Sequence, residues 1–311
     1  MFSLYKVEIY GIHVDKREIK PGVDIVDLLL KKLKEENFEL RDGDVIVITS
    51  KILSIMMNRI YELKSIKPSF IARFLSKFIK EDPRVLELIL NEGDILLAIP
   101  VKKLDMLPHP FRKYAVNEKA RKNAIKQHPY LFLVKVNYLL LSDAGLDFSN
   151  APPGFCTLPP RNPDKIARMI MENIRKRVGK KVSVVIADTE LLIDRFGSRD
   201  IAMGCAGISP VTSEFGAPDL YGKPKFGGVD ALADAVATAA GLVFGQTRQS
   251  IPIAIIRGLK YKESNEGIKD ISYIGLDKRI VRLGALLTLL ETIKFKFLLV
   301  VSKIISKILR K

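Results

Sequence analysis

Apolar positions alternate over Leu4–Tyr10, which predicts a strand. Residues 24–37, DIVDLLLKKLKEEN, carry helical spacing, and Asp24 stands where it can cap the first turn. RDGDVIVITSK reads as a turn, a buried strand over Val45–Ile48 and a polar exit at Thr49, Ser50 and Lys51. Pro68–Lys80 and Pro83–Leu90 predict short helices, and Ile95–Ile99 a further strand. Pro108–Pro129 is basic, Pro-bounded and aperiodic, so it reads as an exposed excursion. Leu131–Leu141 is apolar enough for one buried strand. Asn162 followed by Pro163 predicts a helix start, with Ile166, Met169, Ile170 and Ile174 on one face. Val182–Ala187 predicts a strand that delivers Asp188 and Thr189 at its end. Residues 230–244 hold six alanines, so their helix is expected to pack closely, and Ile253–Arg257 predicts a late strand. Strands and helices mix without a regular βαβ rhythm, which predicts an α+β fold with mixed sheets and flanking helices.

Charge changes this picture most. The chain of 311 residues has 51 Lys and Arg against 35 Asp and Glu, a net charge of +16. Such an excess predicts attraction to anions: nucleotides, nucleic acid or an acidic membrane. It is not evenly spread. Asp277–Lys311 holds nine Lys or Arg and two acids, so +7 of the total lies there. Two domains are therefore expected, residues 1–276 as a body and 277–311 as a basic helical tail. The tail's apolar stretch is broken by Glu291, Lys294 and Lys296, which argues against a transmembrane helix. From Phe297 onward Leu298, Val301, Ile304, Ile305 and Ile308 share one face, and Lys303, Lys307 and Arg310 another. A helix packed on its own domain and contact of residues 280–311 with a membrane surface both fit that pattern. Two cysteines exclude a disulfide framework and suit a cytoplasmic protein, peripheral to the membrane if the tail binds it. Three histidines exclude a His-rich zinc site. With 8% aromatic residues, no Trp and no recognition motif, nucleic acid is not the expected partner.

Several motifs are absent. No GxxxxGK[ST] loop occurs, no GxGxxG follows a strand, and there is no GxSxG, HExxH or CxxC. The chemistry that remains is carboxylate chemistry at strand ends. Ser142–Asn150, SDAGLDFSN, follows an apolar strand and offers hard oxygen donors in a tight turn, the ligand type that Mg²⁺ and Mn²⁺ favour. A solvated Asx-type turn would use the same residues. Asp188 and Glu190 follow a buried strand and face the same side if the strand continues. A glycine run from Gly197 to Gly245 could admit phosphate close to backbone amides or serve ordinary turns. Lys51 at a strand end could neutralise phosphate or lie on the surface.

Taken in order, these pieces carry a resemblance. TSKILS at 49–54, DAGLDFSN at 143–150, IADT at 186–189 and DIAMGCAGISP at 200–210 come first. PDLYGKP at 218–224, LADAVATAAGLVFGQ at 232–246 and IPIAIIRGL at 251–259 follow. The chain resembles the coenzyme F420-0:gamma-glutamyl ligase family over roughly residues 4 to 260. The resemblance implies two intertwined halves and a homodimer. It implies a GTP-dependent enzyme that joins L-glutamate to the carboxylate of an anionic F420 precursor through an acyl phosphate. Mg²⁺ or Mn²⁺ would be held by Asp147 and Asp188 with Thr189 beside them, and K⁺ is a further expected ion. Ser50, Lys51, Asn150, Phe244, Gly245 and Gln246 match nucleotide-contacting positions, while the catalytic residue itself is unassigned. Glu190–Asp194 reads ELLID where the family usually has an Arg-containing stretch. The alternative expectation is therefore an altered-substrate or non-catalytic paralogue that binds nucleotide or a partner.

Overall fold

A computed structural model describes residues 4–106, 111–192, 195–273, 286–299 and 302. The chain divides into two compact units, Met1–Ile271 and Ser272–Lys311. The first opens with β1 (Glu8–Ile12), α1 (Ile25–Glu35), β2 (Val45–Thr49), α2 (Ser50–Met56), β3 (Ile60–Glu62), α3 (Phe70–Ile79), α4 (Pro83–Glu92) and β4 (Asp94–Ile99). It continues with α5 (Val101–Leu104), α6 (Phe111–Tyr114), α7 (Glu118–Gln127), β5 (Leu131–Val136), β6 (Leu139–Ser142) and β7 (Phe155–Thr157). It closes with α8 (Pro163–Val178), β8 (Ser183–Leu191), β9 (Ser198–Ala206), α9 (Leu232–Phe244), β10 (Ile253–Arg257) and α10 (Ile268–Ile271). This is an α+β architecture.

The main sheet has the order β1-β10-β2-β8-β9. Only β2 and β8 run parallel, with Val45 opposite Ser183 and Thr49 opposite Ala187; the other neighbours are antiparallel. Val45–Ile48, Val184–Ala187 and Ile253–Ile256 are all buried, as central strands covered on both faces require. α8 packs along β8 and β9, and α9 along β9, β1 and β10. Asp164 in the first turn of α8 accepts the amides of Cys205, Ile268 and Lys269, which ties that helix to β9 and α10. Gly204 lets β9 approach the start of α8, because a Cβ there would lie 2.5 Å from the amide nitrogen of Asp164. A second sheet, β4-β5-β6, packs with α3 and α4 around Leu86, Ile89, Phe132 and Val134.

The lower edge of the main sheet is closed by one ion pair. Asp44, 1% exposed, precedes β2, and Arg257 ends the antiparallel β10 beside it. Arg257 donates through Nε to Asp44 Oδ1 at 2.9 Å and through Nη2 to Asp44 Oδ2 at 2.7 Å. Its guanidinium lies 4.5 Å from the ring centroid of Phe38.

Several expected elements change. The first strand begins at Glu8, and Leu4–Val7 lie outside it. The polar exit at Ser50 is the start of α2, since Ile52, Leu53 and Met56 carry a buried face that a short window hides. Leu131–Leu141 is a hairpin, β5 and β6, turned at Asn137, whose φ of 54° is the left-handed conformation Asn tolerates. The described residues of the aperiodic excursion include two short helices, α6 and α7, and α5 precedes it. Met169 is exposed, and Ala167 takes its place on the buried face of α8. In the tail, residues 286–299 are helical with exposed apolar side chains; Val301, Ile304, Ile305, Ile308 and their basic partners lie outside the described residues. Among the described residues no helix is long and apolar enough to cross a membrane.

Removing one partner of a buried ion pair leaves the other charge uncompensated. Arg257→Met should therefore destabilise the fold by about 3–5 kcal/mol. Urea denaturation checks it, and an unchanged midpoint would show that the pair contributes nothing.

Candidate functional site

β2 ends at Thr49 while its parallel neighbour β8 runs past the expected end at Ala187 to Leu191, so the residues after Thr49 lie beside Asp188 within β8. The carboxyl ends of parallel strands are where open α/β sheets commonly bind ligands. Ser50 follows β2 and its hydroxyl donates to Asp188, which lies one residue past the Thr49–Ala187 pair. Lys51 forms an ion pair with Asp147 and donates to the carbonyl of Ser149 at 2.8 Å. The loop holding Asp147 is fixed by a bridge to Thr157, with amide-to-carbonyl bonds of 3.0 and 2.9 Å. Asp147 Oδ1 accepts the amide of Ser149 at 2.6 Å and Oδ2 its hydroxyl at 2.8 Å, an Asx-type turn built on an ion-paired carboxylate. The solvated turn and the charged-donor site are thus the same turn.

On β8 the strand continues to Leu191, which places Asp188 and Glu190 on the same side. Burial pushes Asp188 up to about 7, with the charges of Glu190 and Asp147 adding to the rise. Glu190 is raised by burial too, and both its oxygens accept the amide of Ser142 at 3.0 Å. Two further acids lie nearby, Glu81 buried and Asp143 partly buried. Burial raises Asp143 to about 6 and Glu81 to about 7, and Asp143 takes the amide of Phe132 at 2.7 Å.

Thr189 turns the other way. Its hydroxyl donates to Asp200 Oδ1 at 2.5 Å and accepts from Gln246 Nε2 at 3.4 Å. A bulge sets this up: Ile186 pairs with Gly204 and Ala187 with Ala202, which leaves Met203 unmatched and brings Thr189 opposite Asp200. α9 holds Asp200 in place. Thr238 donates to its carbonyl at 2.8 Å, and Gly241 has no side chain where the Asp200 carboxylate lies.

The fold therefore gathers Ser50, Lys51, Asp147, Asp188, Thr189 and Gln246 at one edge. Asn150 continues the Asp147 loop, exposed and at φ 53°. Phe244 contributes no exposed ring; it is buried in the main core, and Gly245 makes the turn that follows at φ +67°. Sequence reasoning missed Asp200, although an acid inside the apolar stretch DIAMGCA signals a partner across the strand. It also missed His128, whose ring packs 5.2 Å from Phe148. Burial lowers the pKa of His128, and the charge of Asp147 opposes this.

Among the described residues no group of three or more His, Cys, Asp or Glu forms a metal cage. The donors present still suit a hard divalent cation in its other mode, with one or two carboxylates and the remaining ligands from substrate phosphate and water. Asp147 and Asp188 are the two carboxylates, within electrostatic reach of one another, with the Ser50 hydroxyl on Asp188; the Thr189 hydroxyl, expected beside them, is turned to Asp200 instead. Lys51 now occupies Asp147 and could meet an anion from the same position.

Carboxylates, a lysine and hydroxyls meet where β2 ends beside β8. The family model for F420-0:Gamma-glutamyl ligase matches residues 13–258, and the chain belongs to this family. A coenzyme F420:L-glutamate ligase of Methanopyrus kandleri is 31% identical over 246 residues, 79% of this chain and 84% of the relative. One of Methanothermobacter thermautotrophicus is 31% identical over 252 residues, 80% and 89% of the two chains. One of Archaeoglobus fulgidus is 28% identical over 265 residues, 85% and 92%.

The buried acids carry a pH signature. Glu81, Asp143 and Asp188 keep their protons in the folded chain up to about 7, 6 and 7, against ordinary values of 4.5, 3.8 and 3.8. Their contribution to stability is complete below the ordinary values and is lost as pH rises through 6 to 7. Glu190 and Asp200, also raised by burial, act with them, and His128, with its lowered pKa, opposes them. The metal-free protein should melt at a higher temperature at about pH 5.5 than at about pH 8. Glu190→Gln, by removing a like charge, should narrow the difference. A melting temperature constant over that range would contradict the protonation pattern.

Proposed function

We propose that the chain is a coenzyme F420:L-glutamate ligase that uses GTP and Mg²⁺ or Mn²⁺. The observation that supports this most is the meeting of Lys51, Asp147 and Asp188 where β2 ends beside β8 in a member of this family. The acceptor carboxylate of an F420 precursor attacks the γ-phosphorus of GTP, forming an acyl phosphate and releasing GDP. The amine of L-glutamate then attacks the acyl carbon, phosphate leaves and the amine gives up a proton.

Each residue has work in that sequence. Asp147 and Asp188 would hold the divalent ion, which when bound would quench phosphate repulsion and favour in-line transfer. Lys51 is placed to exchange Asp147 for a phosphate oxygen. Ser50 orients Asp188. Asp200 orients Thr189, and Gln246 completes that contact from the end of α9. Asn150, Phe244 and Gly245 fall on segments that fit the nucleotide, Phe244 through its backbone since its ring is buried. K⁺ and a homodimer belong to the same proposal, and mass in solution tests the second.

Incubation with GTP, Mn²⁺, L-glutamate and the precursor should release GDP and phosphate together with a glutamylated product. Asp200→Asn should lower turnover by about 10–100-fold as a residue orienting a ligand, and Asp188→Asn by more. Unchanged release with Asp188→Asn would remove that carboxylate from the site. Nucleotide binding with no product from the parent chain would instead favour the non-catalytic paralogue.

A further inference from the structure

α3 is built the wrong way round for a helix that only supports its own domain. Its inward side is modest: Ala72 is buried and Leu75 and Ile79 are partly buried against the core around Leu86 and Phe132. Its outward side is the more apolar one. Phe70 is 74% exposed, Ile71 60%, Phe74 48% and Phe78 70%. The three Phe residues are spaced i, i+4, i+8, so they form one row. The ring centroids of Phe70 and Phe74 are 6.1 Å apart and those of Phe74 and Phe78 5.0 Å. Exposed apolar residues scattered singly need no explanation, but a contiguous aromatic row marks an interaction surface.

The charge around the row says what kind of surface it fits. Residues 63–80, LKSIKPSFIARFLSKFIK, contain Lys64, Lys67, Arg73, Lys77 and Lys80 and no acid. All five cations are exposed. Of the acids that flank it, Glu81 is buried, Asp82 pairs with Arg84 and Glu87 accepts the amide of Ser69, which leaves the exposed Glu62 against five exposed cations. Two copies meeting through this face would be related by a two-fold axis, which sets the same cations against each other. A negatively charged bilayer surface instead receives both features, apolar side chains below the headgroups and Lys and Arg among them.

We propose that α3 is an interfacial helix that lies on an anionic phospholipid surface, with Phe70, Ile71, Phe74 and Phe78 inserted and Arg73 and Lys77 at the headgroups. At ten residues it is too short to span a bilayer and long enough to lie in its plane. This surface is separate from the strand-end site and does not depend on the ligase proposal.

The chain has no Trp, so a single Trp placed on the row reports from that place alone. Full-length protein carrying Phe74→Trp is mixed with vesicles of phosphatidylcholine and phosphatidylglycerol, or of phosphatidylcholine only. Emission should move to shorter wavelength, and be quenched by acyl-brominated lipid, on the anionic vesicles alone. Arg73→Glu with Lys77→Glu should weaken that response by at least about tenfold. If Phe74→Trp does not fold, Phe78→Trp serves the same purpose. Emission unchanged on anionic vesicles would overturn the proposal, even if the protein floats with them, because binding would then lie elsewhere. A shift that grows with protein concentration without vesicles, together with a doubled mass, would also overturn it and assign the face to a second copy.

Discussion

The parallel pairing of β2 with β8 is the constraint from which the rest follows. It joins segments about 140 residues apart in the chain through buried stretches of both strands. A slip by one residue would move every side chain to the other face of the sheet. Once Thr49 stands opposite Ala187, Ser50 and Asp188 have to be neighbours. Lys51 and the Asp147 loop then complete the cluster. The Arg257–Asp44 pair acts at the opposite end of the same strands, where it holds β10 to β2. One end of the sheet is closed by a satisfied charge pair, and the other concentrates charge that is only partly neutralised.

That partial neutralisation gives the site its character. Glu81, Asp143, Glu190 and Asp188 are drawn into low-dielectric surroundings with backbone amides or a hydroxyl as their main donors. Asp147 by contrast pairs with a cation, Lys51. Burial and like charge together keep protons on groups that would ordinarily have lost them, a pattern concentrated at functional sites. A basic chain therefore carries an acidic interior at one sheet edge. The +16 seen in the composition belongs to surfaces such as α3 and to the tail, while the candidate site sits on local negative charge.

Much of this was legible in the chain. Asp24 caps α1 through bonds to the amides of Val26 and Asp27, as its place before a periodic run suggested. Val45–Ile48, Val184–Ala187 and Ile253–Ile256 are core strands because continuous apolar runs can only be buried on both faces. The failures have physical causes. Asn137 and Tyr138 interrupt an apolar run too briefly to show in a period-two pattern, although Asn at positive φ is what turns the hairpin. The helices of the excursion are four and ten residues long, and α7 buries no residue, so no apolar stripe announces it. Asp200 stands out as an acid against an apolar run, but its partner Thr189 is set by a bulge in the strand pairing, which no local pattern encodes.

The unmatched Met203 also sets how this protein can change over time. Substitutions along β9 alter one contact each, but a gain or loss of one residue there would shift the frame in which the strand's two ends are read. Restoring regular pairing would leave Gly204 on α8 and carry Asp200 away from Thr189, so the strand would survive and the cluster would not. Length variation is therefore expected to accumulate in exposed connections outside the paired strands, while β9 keeps its residue count even where its letters drift.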